Sequence, residues 1–124
     1  MSVSDLHLAL TCHETHVDGH KLVYATAGAP SAPPLMLVHG WTCHKFVWRH
    51  VLAALAERFH VIALDLLGHG ESDAPPDGDY SIPAQAQRVL ALADQLGLAR
   101  FALMGHSMGG LISLYIGAVL APER

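Results

Sequence analysis

Three short runs of unbroken apolar residues constrain the fold of this chain most: Leu35-Met36-Leu37-Val38, Val61-Ile62-Ala63-Leu64 and Phe101-Ala102-Leu103-Met104. A strand that is apolar on both faces has to be covered on both, which points to a parallel sheet flanked by helices. The segments between the runs have helical spacing. Trp48, Leu52, Leu55 and Phe59 recur at i, i+4, i+7 and i+11, and Ile82, Ala86, Val89, Ala93 and Leu96 at spacings of four and three. The second series predicts a helix with Ser81 as N-cap, Pro83 in its first turn and Gly97 as terminator. A third helix follows Ser107, with Met108, Leu111, Ile112, Tyr115 and Val119 on one face and Leu114 and Leu120 outside that stripe. A helix apolar nearly all round is expected to be buried.

Upstream, residues 6–16 and 21–27 alternate in strand fashion around Asp18-Gly19, a hairpin signal. The expected order is therefore β-β-β-α-β-α-β-α. An antiparallel hairpin leads into a mostly parallel sheet with helices on both faces, an α/β class with one domain over residues 1–124. The chain has 52% hydrophobic residues, enough for a packed core rather than disorder. Its net charge of −4 offers no basic footprint for nucleic acid. No stretch approaches the ~18 apolar residues of a membrane span, and the amino terminus lacks the pattern of a secretory signal, so a soluble cytoplasmic protein is expected. Cys12 and Cys43 make no disulfide framework.

In open α/β sheets, ligands bind beyond the carboxyl ends of the strands, and all three such ends carry marked residues. The last run leads into Gly105-His106-Ser107-Met108-Gly109-Gly110, a G-x-S-x-G pattern in a strand–turn–helix setting. Gly105 and Gly109 let strand, turn and helix approach closely. The turn then presents Ser107 at a helix amino end, where free N–H groups favour an anion. Ser107 is thus the candidate nucleophile. The first run ends in His39-Gly40-Trp41, where the small Gly40 lets the loop lie under a substrate. The Trp41 N–H can then pair with that of Met108 as an oxyanion hole. The second run ends in Asp65-Leu66-Leu67-Gly68-His69-Gly70-Glu71-Ser72. A phosphate-binding G-x-G-x-x-G fails there because the sixth position is Asp73. A tight turn packed beside the His39-Gly40 loop fits better.

From about residue 35 onward, these three motifs, in their order and spacing, resemble the amino-terminal half of an α/β-hydrolase fold enzyme. Serine rather than aspartate at the nucleophile position implies esterase-like acyl-transfer chemistry and disfavours haloalkane dehalogenases and epoxide hydrolases. The family's triad runs Ser, then Asp or Glu, then His. Only 17 residues follow Ser107, with no histidine among them. The resemblance therefore places the base and its acid outside these 124 residues, and the chain alone is expected to be slow or inactive. A small-molecule acyl substrate, no cofactor and no metal are implied. The alternative is a non-catalytic fragment or interaction module lacking a general base. Without the family's next strand the last one becomes an edge and the final helix loses its cover, so self-association is expected.

Several residues have blander readings. Ser107 could be only a helix N-cap. His39 reads as a structural histidine bonded to its own loop, and His106, next to the serine, as badly placed to deprotonate it. Asp65 reads as a turn-stabilising carboxylate, too far across the sheet for a triad role. Ten histidines invite a metal reading. However, His13 and His16 point to opposite strand faces, and no second ligand pair joins Cys12, His16 and His20. His44, His50, His60 and His69 read as surface or rim residues.

Overall fold

The computed structural model describes residues 10–121 and residue 123. Among these, five strands form one sheet in the order β1-β2-β4-β3-β5. They are β1 (Thr11–Val17), β2 (His20–Ala27), β3 (Pro34–Val38), β4 (His60–Leu64) and β5 (Ala102–Gly105). β2 runs antiparallel to β1 and β4, whereas β3 runs parallel to β4 and β5. The expected hairpin closes at Asp18-Gly19, both with positive φ (52° and 80°), the conformation that matches strand twist in a two-residue turn. Part of the first expected strand, residues 6–9, lies outside the described residues.

The first two apolar runs are buried on both sides, as their composition requires, whereas in the third Ala102 and Met104 are exposed and Leu103 is half-buried, because β5 is the edge strand. Leu35 and Leu37 of β3 join Val61 and Ala63 of β4 and Leu52 on one face. Met36 and Val38 join Ile62, Leu64, Ala86, Val89 and Ile112 on the other. The first face is covered by α1 (Leu52–Ala56), the second by α2 (Ile82–Gln95) and α3 (Met108–Tyr115), which continues as a wider π turn over Ile116–Leu120. In α2, Ser81 Oγ accepts from the Ala84 N–H. At its other end Gly97 (φ 71°) donates to the Asp94 carbonyl and Leu98 to that of Ala93, the paired bonds of a left-handed helix stop.

Two expectations need correction. The helix expected from Trp48 to Phe59 is broken into a 3₁₀ turn (Lys45–Trp48) and the short α1. Its apolar face is as expected, with Trp48, Leu55 and Phe59 packed around Leu52. The winding starts upstream of Trp48, where the Lys45 N–H donates to Asp65 (2.7 Å), and it runs with 3₁₀-type bonds from the N–H groups of Val47, Arg49 and Val51. The final helix is only half buried. Ile112 and Ile116 face the core, but Leu111, Leu114 and Val119 are 57–68% exposed because β5 is an edge strand and nothing among the described residues covers that side.

An apolar helix face beside an unpaired strand edge is a template for association. The 124-residue chain is expected to show a mass that rises with concentration in sedimentation. A concentration-independent monomer that melts in one sharp transition would contradict this.

Candidate active site

The end of β5 turns into α3 through one strained residue. Ser107 has φ 57° and ψ −119°, a conformation that costs a non-glycine residue about 1–3 kcal/mol. The turn is held by its neighbours: the His106 N–H donates to the Val38 carbonyl (3.1 Å), Gly109 to His106 (2.9 Å) and Gly110 to Ser107 (2.9 Å). A Cβ on Gly109 would overlap the Val38 carbonyl, and one on Gly105 would overlap the Gly109 backbone. These two positions therefore accept no side chain while the turn keeps its shape. Ser107 makes no side-chain cap bond to α3 and is exposed, so the simple N-cap reading does not describe it.

The loop after β3 lies against this turn. A Cβ on Gly40, which is buried, would sit 3.1 Å from both Ser107 Cβ and the His106 carbonyl oxygen. The loop closes with a bond from the Cys43 N–H to the Gly40 carbonyl (3.2 Å) and has a left-handed Thr42 (φ 63°). Trp41 is 58% exposed, and the site is open to solvent along Trp41, Thr42, Gly105, His106 and Ser107. The N–H of Met108, the first residue of α3, has no intrahelical partner by construction.

His39 is fully buried and both its ring nitrogens are engaged. Nε2 accepts from the Leu66 N–H (3.0 Å), which leaves Nδ1 to donate to the Gly40 carbonyl (2.8 Å). Burial pushes its pKa below the ordinary histidine value, against the bond to Gly40 that works to raise it. The neutral ring fixes the loop to the end of β4. His69, expected at the surface, is instead buried, with its ring 5.0 Å from both His39 and Trp41 and its Nδ1 3.1 Å from the Leu67 carbonyl. The tight Gly68-His69-Gly70 turn drives it inward, under the loop.

Asp65 lies across β3 from Ser107, as expected, and serves the turn. Its carboxylate accepts from the N–H groups of Lys45 (2.7 Å) and Glu71 (3.0 Å) and from Lys45 Nζ (2.7 Å). Lys45, which the motifs did not single out, is 1% exposed and also reaches Glu71 Oε1 (2.8 Å). Burial works to lower its pKa, but the bonds and charges of Asp65 and Glu71 outweigh this and raise it above the ordinary lysine value. The lysine therefore stays charged at neutral pH, and the stability it contributes through its raised pKa fades as pH climbs past the lysine range. Among the described residues no group of three or more His, Cys, Asp or Glu could hold a metal ion, and no helix is long and apolar enough to cross a membrane. His13 of the hairpin is engaged otherwise, stacked on Tyr24 and bonded to Thr26 Oγ1 (2.9 Å).

This chain belongs to the α/β-hydrolase fold family, whose model matches residues 33–124. It is 40% identical over 106 residues to a soluble epoxide hydrolase of Corynebacterium sp. (strain C12), covering 86% of this chain and 36% of that protein. It is 44% identical over 112 residues to the dihydrolipoyllysine-residue acetyltransferase component of an acetoin cleaving system from Pseudomonas putida, covering 90% of this chain and 30% of that one. Among solved structures, a membrane phospholipase A superposes with a TM-score of 0.90 at 38% identity, over 94% of this chain and 37% of that one. The chain thus spans about a third of the length of the curated relatives it matches.

The buried neutral His39 carries a pH signature. An unfolded histidine takes up a proton near pH 6.5, whereas the folded one resists it. Its stabilising effect is therefore complete above that pH and is lost as pH falls toward the lower folded value. His39→Gln, which can accept and donate at the same two places, lacks this titration. The stability advantage of the wild type over His39→Gln, read from thermal melts, is expected to narrow between pH 7.5 and 5. An advantage that stays constant or grows would refute the assignment.

Proposed function

We propose that this chain is the nucleophile-bearing part of a serine hydrolase that acts by acyl transfer on a carboxylic ester or related carbonyl compound. The observation that carries this reading is the strained, exposed Ser107, held without a cap bond beside the Gly40-Trp41 loop. Strain at an exposed serine between two glycines does nothing for stability, but it does present Oγ to an incoming carbonyl. In this reading Oγ attacks the carbonyl carbon and the C=O π pair moves onto oxygen. The N–H groups of Trp41 and Met108 hold that oxyanion. Collapse expels the alcohol, and water then releases the acyl group. Each oxyanion donor is worth on the order of 10²–10³ in rate.

The proton acceptor in this reading is not a residue described above. Both nitrogens of His39 are engaged, His106 adjoins the serine in sequence, and no histidine follows Ser107. The base and its orienting acid are assigned to sequence beyond these 124 residues, in family order. The names of the epoxide hydrolase relatives support a second reading, opening of an epoxide ring. The serine at the nucleophile position weighs against it, since the resemblance associates that activity with aspartate.

In the whole enzyme, Ser107→Ala is expected to abolish nearly all hydrolysis of short-chain p-nitrophenyl esters while leaving the melting temperature almost unchanged. A folded variant with wild-type turnover would rule out the mechanism. Opening of an aryl epoxide without ester hydrolysis would favour the second reading. The 124-residue chain assayed alone is expected to reach no more than roughly the 10³–10⁴-fold residual acceleration over water seen when serine proteases lose their triad. An ordinary esterase rate that vanishes with Ser107→Ala would show that a base is being supplied.

A further inference from the structure

We infer that the buried Lys45–Asp65–Glu71 cluster is a positioning device for the oxyanion loop, acting on the Trp41 N–H through the backbone on either side of it. The inference rests on the acyl-transfer reading above and adds to it residues that do not touch the substrate.

Residues 39–45 leave β3 and enter the 3₁₀ turn, and both of their ends are bonded to one short segment after β4. At the first end, the Leu66 N–H donates to His39 Nε2 (3.0 Å). At the second, the Lys45 N–H donates to Asp65 Oδ1 (2.7 Å) and the Lys45 ammonium to Asp65 Oδ2 (2.7 Å). The segment is itself closed around that carboxylate. The Glu71 N–H donates to Asp65 Oδ2 (3.0 Å), Glu71 Oε1 accepts from Lys45 Nζ (2.8 Å), and a Cβ on Gly70 would overlap the Asp65 carboxyl group. Ser72 Oγ donates to the Asp65 carbonyl (2.7 Å) and accepts from the Val23 N–H (2.8 Å), which fixes the segment to the sheet. Between the two ties, the loop's contact with the turn at Ser107 is at Gly40, one residue before Trp41.

A displacement of Lys45 therefore propagates to Trp41 through only three residues, which include a left-handed Thr42 and run into the closed turn from Gly40 to Cys43. The chemistry of the cluster fits positioning better than bulk stability. Replacing a buried ion pair by apolar residues of similar shape is often neutral or stabilising, because desolvation offsets the attraction. The directional bonds that one carboxylate accepts from the Lys45 N–H, the Lys45 ammonium and the Glu71 N–H instead fix the end of the loop against the segment after β4. An error of about 1 Å in such a donor can cost on the order of 10² in rate.

The test uses the whole enzyme, base included, with Lys45→Met and, because that change breaks a buried pair, Glu71→Ala, whose side chain is 67% exposed and whose loss leaves the core intact. Two readouts are taken: the amide ¹H–¹⁵N resonances of residues 41–44, and the rate at which a dialkyl aryl phosphate labels Ser107, followed by mass. Lys45→Met is expected to shift the loop amides while those of β1 and β2 stay in place, and to slow labelling about 10–100-fold. Glu71→Ala is expected to act in the same direction, but less. Unmoved loop amides in a folded variant would overturn the inference. So would shifted amides with unchanged labelling. If Lys45→Met does not fold, the same two criteria are applied to Glu71→Ala. If the unaltered protein is not labelled at Ser107 at all, the nucleophile reading falls, and the amide shifts alone decide whether the cluster holds the loop.

Discussion

Ser107 keeps its left-handed backbone because three backbone segments meet where there is no space for side chains. The end of β5, the first turn of α3 and the Val38-His39 carbonyls of β3 converge on Gly105 and Gly109. The unfavourable dihedral angles are offset by the hydrogen bonds that this convergence allows, chiefly from His106 to Val38 and from Gly109 to His106. The same closeness brings the Gly40 loop against the serine. Serine and loop are therefore not positioned separately: both are set by the pairing of β3 with β5, from Leu35↔Ala102 to Val38↔Gly105. A shift in that register would move both.

Behind the loop, polar groups are buried in a compensated arrangement. His39 uses each ring nitrogen once, in opposite senses, so it is satisfied only as the neutral ring with its proton on Nδ1. Asp65, fully buried, is matched by a lysine that is itself buried and by two backbone donors. His69 fills the space between, its ring edge-on to Trp41. The support under the loop is thus built from groups that water would otherwise compete for, and burial makes their geometry firm.

Much of this is legible in the sequence, because it depends on local pattern. Continuous apolar runs name β3, β4 and the start of β5. Asp-Gly names the hairpin, Ser81 and Gly97 bound α2, and glycines flanking Ser107 name the turn. What is not legible depends on distant partners. Trp48 to Phe59 keeps its periodic face yet is not one helix, and the 3₁₀ turn before it begins at Lys45, held by a carboxylate 20 positions away. His69 looks like a rim residue until the turn around it is seen to close on His39. A signal for Lys45 did exist: an aspartate at the end of an apolar strand needs a cation, and Lys45 is the sole lysine or arginine in the three strand-end loops. The exposure of α3 was harder to read, since apolar composition reports a preference for burial and not whether a neighbour is there.

The edge position of β5 gives this part of the fold a seam. The serine, the loop that faces it and every support described for that loop lie on one side of the strand, toward β3 and β4. Across the seam, among the described residues, lie the open edge of β5 and the outer face of α3. The bonds described for His39, Lys45 and Asp65 thus all run to β3, β4 and the loops after them, and none crosses the seam. A segment joined along the seam need displace none of those bonds, which is compatible with the likeness of this chain to proteins as diversely named as epoxide hydrolase and phospholipase.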